Sequence, residues 1–531
     1  MFCEDFKSGS LLFRSWSTSN VYVSTGRSAL MMFVSELSAL PLVARELPDK
    51  GDYRMYEKLE LFINGEWRQG SEGKSEDVLN PATEEVLAEC PHASIADLDQ
   101  ALDSAERAFE EWKAKSAWDR AAILKEAARL INERKQEIGQ IMTQEQGKPI
   151  GDSIGEVKSA SETTEWFAEE GKRAYGRLIP SRMPGQRSMV MPEPVGISLA
   201  LTPWNFPALL PVRKIAAGLA AGCPVIIKPS EETPGSGVAI VRCFVDAGVP
   251  AGVLNLVFGV PDDVSRHLIG SGRIRKMSFT GSIPVGKHLA KVAAEHLVRC
   301  TFELGGHSPV LVFDDANIDT VIKHMVPFKY RNSGQVCISP TRFYVHEKVY
   351  DDFVSRFTEA ANAMQVGNGM DAKTQMGPMA NGRRIVAMEE FMQDARDHNV
   401  EITTGGNRIG NQGYFWEPTV LANVPEEAMI MSKEPFGPLA PITRFKDFDD
   451  VVARANRLPY GLASYCYTSD QKRADQLAEA LDTGMVGVNN FMISMPETPF
   501  SGVKESGYGY ESGAEGLEVY LHHKFISQTG M

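Results

Sequence analysis

Lys276-Met-Ser-Phe-Thr280, then Gly281-Ser-Ile-Pro-Val-Gly286, then Lys287-His-Leu-Ala-Lys-Val-Ala-Ala-Glu295: these twenty consecutive residues decide how the chain folds. A short strand-type run enters a glycine-bounded turn, and a helix-type run follows at once. Backbone amides at such a helix start, backed by the helix dipole, make an anion site, and glycine lets a phosphate approach the main chain. Lys287-His288 almost completes a nucleotide-triphosphate loop. His288 lacks the hydroxyl that loop needs for magnesium, and Pro284 removes an amide, so triphosphate hydrolysis is disfavoured. Taken alone, a tight turn would also account for the glycines.

The same rhythm runs upstream. Ile197-Ser-Leu-Ala-Leu201, Val225-Ile-Ile-Lys228 and Leu254-Asn-Leu-Val257 read as strands, separated by helices over 212–221 and 237–247. This alternation means right-handed β–α–β units and a parallel sheet. Ligands of such sheets bind beyond the strands' carboxyl ends, which predicts Trp204, Lys228 and Gly281 near one crevice. A second α/β unit is expected from about 309 to 495, with a strand over 341–345 and a helix over 350–364. Towards the N-terminus, Asn64-Gly65 between alternating runs reads as a hairpin. Ser94-Ile-Ala-Asp97 is a capping box opening helices that run to about 146, with a break near Ser116. More helix passes through Trp166 and Phe167. Residues 177–193, rich in Pro, Gly and Arg, read as an extended excursion.

A chain of 531 residues, 43% hydrophobic and 23% charged, holds two or three domains with a large core. Its net charge of −14 argues against nucleic acid and anionic membranes. No apolar run approaches the ~18 residues of a membrane span. Seven scattered cysteines show no metal-ligand spacing and leave one over from any disulfide set. That pattern suits a reduced, cytoplasmic chain without a bound metal. Residues 1–54 are set apart: Ser-rich, aperiodic, with Arg14 and Arg27 among apolar residues. They are either a disordered extension or an organelle presequence, although Glu4 and Asp5 sit badly with the latter.

The chemistry centres on Cys337 in Arg331-Asn-Ser-Gly-Gln-Val-Cys337-Ile-Ser-Pro. A thiol is strongly nucleophilic near neutral pH even with a small thiolate fraction. Glu303, in Phe302-Glu303-Leu-Gly-Gly306, has the apolar setting that raises a carboxyl pKa towards that of a useful base; a loop-capping role is the alternative. Asn205, in Trp204-Asn-Phe-Pro207 directly after a strand, offers a side-chain amide to a developing oxyanion beside the Cys337 N–H. Lys228-Pro-Ser230-Glu231 ends another strand, where a carboxylate would accept from an adenosine ribose and repel a 2′-phosphate. Standing by itself, that pair would more simply be a solvated loop. Glu434-Pro-Phe436-Gly437 adds a rigid loop with one acid and one aromatic.

Together these motifs resemble the aldehyde dehydrogenase superfamily from about Leu61 to the C-terminus. The match runs through Thr202-Pro-Trp-Asn-Phe-Pro207, Lys228-Pro-Ser-Glu231, Phe279-Thr-Gly-Ser282, Glu303-Leu-Gly-Gly306, Gly334-Gln-Val-Cys337 and Glu434-Pro-Phe-Gly437. The resemblance implies an α/β fold of three parts: a Rossmann-like NAD(P)-binding domain (55–174 and 196–305), an α/β catalytic domain (306–507) and a small β oligomerisation element (175–195 and 508–531). It also implies a homodimer or homotetramer. Cys337 would be the nucleophile, Asn205 an oxyanion donor and Glu303 the base that activates water. Lys228, Ser230 and Glu231 would hold the adenosine ribose, with NAD preferred over NADP. Gly281 and Ser282 would lie at the pyrophosphate, Glu434 at the nicotinamide ribose, and Trp204 and Phe436 beside the cofactor.

The aldehyde is suggested by two arginines. Arg331 lies six residues before Cys337, and Arg213 lies on the helix that Trp204-Asn205 leads into. Paired guanidinium groups suit a substrate with a carboxylate at one end and an aldehyde at the other. The resemblance is strongest to the succinate-semialdehyde dehydrogenase branch, in which matching arginines and a serine, here Ser494, bind the substrate carboxylate. Glutarate or α-ketoglutarate semialdehyde stays open, as does a small neutral aldehyde such as glycolaldehyde or lactaldehyde. Ser339 stands where some of that branch carry a second cysteine, so no redox-switch disulfide is expected.

Overall fold

The computed structural model describes residues 59–530; the expectations for residues 1–54 lie outside the described residues. Five parallel strands form the centre of the first sheet: β1 (Ser198–Leu201), β2 (Val225–Lys228), β3 (Leu254–Leu256), β4 (Lys276–Thr280) and β5 (Arg299–Glu303). Their spatial order is β3-β2-β1-β4-β5, so the winding reverses between β1 and β4. A crevice opens at such a switch point, outside the carboxyl ends of the strands. β1, β2 and β4 are buried at every residue, as expected of parallel strands covered by helices on both faces. The predicted hairpin, Leu61–Ile63 paired with Glu66–Arg68, extends one edge; Asn64 (φ 54°) and Gly65 (φ 87°) both turn left-handed. Gly507–Tyr508, far away in sequence, closes the other edge against β5.

The expected strands and helices appear within a few residues of their read boundaries. The helix read from 237 starts at Pro234, because proline is well suited to a first helical turn. The helix read from 212 starts at Leu209. Most elements of the second α/β unit and the helix Pro261–Gly270 were not read individually, and two further pieces bear on the first half. Arg299–Glu303 is a strand, so Glu303 ends a sheet element and does not merely sit in a loop. Ser75–Leu79 and Val86–Pro91 form a further hairpin whose polar, mostly exposed pattern gave little signal.

The second sheet has six parallel strands in the order Thr419–Ala422, Leu439–Phe445, Pro340–His346, Ser308–Val312, Ala463–Tyr467 and Met485–Val488, with Glu401–Thr404 antiparallel at one edge. A third sheet pairs Gln186–Pro194 with Arg177–Ile179 and with Leu521–Thr529 near the C-terminus. The segment after β1 belongs to both halves: Phe206 and Leu210 are buried in the core of the second sheet. Burying one such side chain contributes roughly 1.5–3 kcal/mol, enough to hold that segment across the crevice.

Candidate active site

Three adjoining cavities run along the crevice. The first, about 140 Å³, is lined by Cys337, Glu303, Arg213, Arg331 and Ser494. The second, about 430 Å³, shares Cys337 and Glu303 and adds Trp204, Asn205, Gly281, Ser282, Glu434 and Phe436. The third, about 1110 Å³, shares Trp204, Gly281 and Ser282 and reaches Lys228, Ser230 and Glu231. Every residue singled out in the sequence therefore lines this one channel. Cys337 and Glu303 stand where the first two cavities meet.

Backbone geometry delivers the thiol. Asn332 (φ 49°), Ser333 (φ 55°) and Gly334 (φ 73°) are successive left-handed residues, a conformation that costs energy unless neighbours hold it. A Cβ on Gly334 would lie 2.2 Å from the Gly437 carbonyl oxygen, so only glycine fits there. Ser333 Oγ donates to the Gly377 carbonyl at 2.7 Å, and Asn332 Nδ2 donates to the Asn205 carbonyl at 3.0 Å. Asn205 Nδ2 in turn donates to the Gln335 carbonyl at 3.1 Å, tying the amide to the cysteine loop. The Cys337 side chain is partly buried, and burial, reinforced by Glu434, pushes its thiol up to about 12.

Glu303 ends β5 opposite Thr280 and is 2% exposed. Both carboxyl oxygens are buried without a hydrogen-bond partner among the described residues. Burial and then the Glu511 carboxylate raise its pKa well above the usual carboxylate range, while Lys214, Arg213 and Lys276 oppose the shift. Both shifts favour the protonated forms of this carboxyl and of the thiol that lines the same cavity, and a carboxyl raised in this way suits a general base. Beside it lies a buried Lys214–Glu511 ion pair, with Lys214 Nζ 2.6 Å from Thr280 Oγ1 and Ser278 Oγ donating to Glu511 at 2.9 Å. Sequence reading missed this pair. Glu511 lies 208 residues after Glu303 with no local motif, and only the β5–Gly507 pairing brings it near.

Arg213 is 4% exposed and donates from Nη2 to Ser494 Oγ at 2.7 Å. Its guanidinium carbon lies 4.5 Å from the centre of the Phe500 ring, and its Nε is buried without a partner. Arg331 lies over Phe206 at 5.5 Å. The first cavity thus brings a thiol, two guanidinium groups and the rings of Phe206 and Phe500 to one lining.

At the far end the residues fit a dinucleotide. The helix Ile283–Ala294 has Ser282 at its N-cap position but no side-chain cap, so its first amides are unsatisfied by the chain. Lys228, ending β2, pairs with Glu231. Trp204 and Phe436 meet edge to face with centroids 5.7 Å apart. Glu434 Oε2 lies so near Gly305 that a Cβ there would come within 2.5 Å, and burial pushes this carboxyl up to about 8. Among the described residues no cluster of His, Cys, Asp or Glu could hold a metal, and no helix is long and apolar enough to cross a membrane. Their six cysteines are unpaired.

Comparison with known proteins agrees with this geometry. The model of the aldehyde dehydrogenase family matches residues 67–526. A putative 4-(hydroxymethyl)benzenesulfonate dehydrogenase, TsaD2 of Comamonas testosteroni, is 45% identical, covering 89% of this chain and 98% of the relative. The NADP-dependent succinate-semialdehyde dehydrogenase GabD of Escherichia coli K12 is 40% identical over 88% of this chain and 97% of its own. The crystal structure of succinate-semialdehyde dehydrogenase from Burkholderia pseudomallei superposes with a TM-score of 0.88 at 39% identity, covering 90% of this chain and 99% of that one. With the family model matching most of its length and these relatives covered nearly end to end, the chain belongs to the aldehyde dehydrogenase family.

Proposed function

We propose that this enzyme oxidises succinate semialdehyde to succinate with NAD(P), preferring NAD. The observation that carries the reading is the first cavity, where the Arg213–Ser494 hydrogen bond and Arg331 line the same space as Cys337. A four-carbon chain with an aldehyde at one end and a carboxylate at the other suits that lining. Cys337 gives up its proton to solvent and attacks the aldehyde carbon as the thiolate, and Asn205 Nδ2 and the Cys337 N–H donate to the oxyanion. When bound, the nicotinamide supplies the hydride acceptor. Glu303 then takes the proton of the water that cleaves the thioester, releasing the acid and the thiol. Glu231 beside Lys228 supports the NAD preference, since its carboxylate would repel a 2′-phosphate.

The boundaries 55–174 and 196–305, 306–507, and 175–195 with 508–531 are proposed as the cofactor, catalytic and oligomerisation parts. The three-stranded sheet leaves Leu178 (73%) and Phe525 (62%) exposed, which supports a homodimer or homotetramer. A cytoplasmic location is proposed from the reduced cysteines. The test is a kcat/KM panel with both cofactors over succinate, glutarate and α-ketoglutarate semialdehydes, 4-formylbenzenesulfonate, glycolaldehyde, lactaldehyde and butanal. A lead for succinate semialdehyde with NAD is expected. Equal rates on butanal would remove the carboxylate argument. A lead for the arylsulfonate would move the substrate class to the one in the name of the Comamonas relative.

A further inference from the structure

A short segment outside all three cavities touches the parts of the channel. In Glu145-Gln-Gly-Lys148, Glu145 accepts the amides of Gly235 (2.9 Å) and Ser236 (2.7 Å) at the start of the helix after β2. Gln146 Nε2 donates to Asn332 Oδ1 at 2.8 Å, beside the cysteine loop. Lys148 reaches furthest. Its ammonium donates to Glu156 Oε2 at 2.5 Å and to the backbone carbonyl of Asn205 at 2.7 Å, with the Phe206 ring 4.3 Å away. Glu156 Oε1 accepts the amides of Ala208 (2.8 Å) and Leu209 (3.1 Å).

Both partners are 1% exposed, so the pair is costly to bury and its removal from one side would strand a charge. What it does is visible in what it holds. The helix Leu209–Ala221 has no side-chain cap of its own, and the Glu156 carboxylate satisfies its first amides at the positive end of the dipole. One turn further along that helix stand Arg213 and Lys214. The other end of the pair fixes the main chain of Asn205.

We propose that Lys148 and Glu156 are positioning residues for aldehyde oxidation: the ammonium sets Asn205, and the carboxylate sets the helix of Arg213, relative to Cys337. Neither lines any of the three cavities. The inference rests on the assignment of Asn205 as oxyanion donor, and the two can fail separately.

The experiment is a double-mutant cycle on the hydride-transfer burst, read at 340 nm, with Lys148→Met, Asn205→Ala and the double variant. NADH affinity by fluorescence titration serves as the check that the folded crevice persists. Lys148→Met is expected to slow the burst by about 10- to 100-fold, since misplacing a reacting group by about 1 Å costs that much. NADH affinity should hold. In the Asn205→Ala background the same change should cost less than about threefold, because its target has already gone. If Lys148→Met does not fold, Glu156→Gln takes its place; it retains an oxygen for the two amides and removes only the charge that holds the ammonium. Additive effects in the cycle would overturn the positioning role alone. An unslowed Asn205→Ala enzyme would overturn both the donor assignment and the inference built on it.

Discussion

Replacing Arg213 by leucine is the sharpest perturbation of the substrate reading. The side chain is 4% exposed and makes a 2.7 Å hydrogen bond to Ser494, so its guanidinium is already desolvated and aimed before substrate arrives. Its buried Nε has no partner among the described residues and is available to a ligand. A charge-assisted hydrogen bond to a carboxylate contributes about 1.5–3 kcal/mol, and about 1.4 kcal/mol is tenfold, so kcat/KM for succinate semialdehyde should fall by about 10- to 150-fold. One complication has a known direction. Arg213 also holds the Cys337 thiol and Glu303 carboxyl lower than burial alone would, so its loss makes both harder to deprotonate and slows every aldehyde. The quantity to measure is therefore a ratio: kcat/KM for succinate semialdehyde over that for butanal, from NADH formation at 340 nm. Leucine fills the space without the charge, and the ratio should drop by the stated factor. A ratio that stays within about twofold of the parent enzyme would refute the carboxylate-binding role, however slow both reactions become.

Glu303→Gln should leave a full burst of reduced cofactor and then a steady-state rate lower by about 10²- to 10⁴-fold, the usual contribution of a general base. Full-rate turnover would refute the assigned base. The raised thiol pKa makes a pH prediction: without cofactor, alkylation of Cys337 by iodoacetamide should climb through neutral pH and keep climbing above about pH 9, followed by mass spectrometry of its peptide. A plateau near neutral pH would show that the thiol is not pushed up. Stability carries the opposite sign at Glu303. Its folded pKa lies above its unfolded one, so the protonated form favours folding; that contribution is present in acid and lost as pH rises through the raised value.

The periodicity of the chain was enough to establish much of the fold. β1 to β4 and the helices that follow β1, β2 and β4 were legible because each is a local pattern of apolar spacing bounded by glycine or proline, whereas the helix Pro261–Gly270 after β3 was not read. The loop before Cys337 was legible for a similar reason: Ser333-Gly334 reads as loop-forming, and the structure makes it a left-handed turn. What the sequence could not announce was anything made by distant partners. The strand carrying Glu303 gives a weak signal alone and is completed by pairing with β4 and with Gly507–Tyr508. Glu511, Lys214, Lys148 and Glu156 are ordinary charged residues in the linear chain. They became a network only when tertiary packing buried them, because in a low-dielectric interior a charge is tolerated only where a partner meets it. Residue types and their local spacing determined the chemistry and the strand–helix rhythm. Burial, which raises the pKa of Glu303 and Cys337 and encloses Arg213, was decided by the folded molecule, since it depends on what the rest of the chain brings to lie against them.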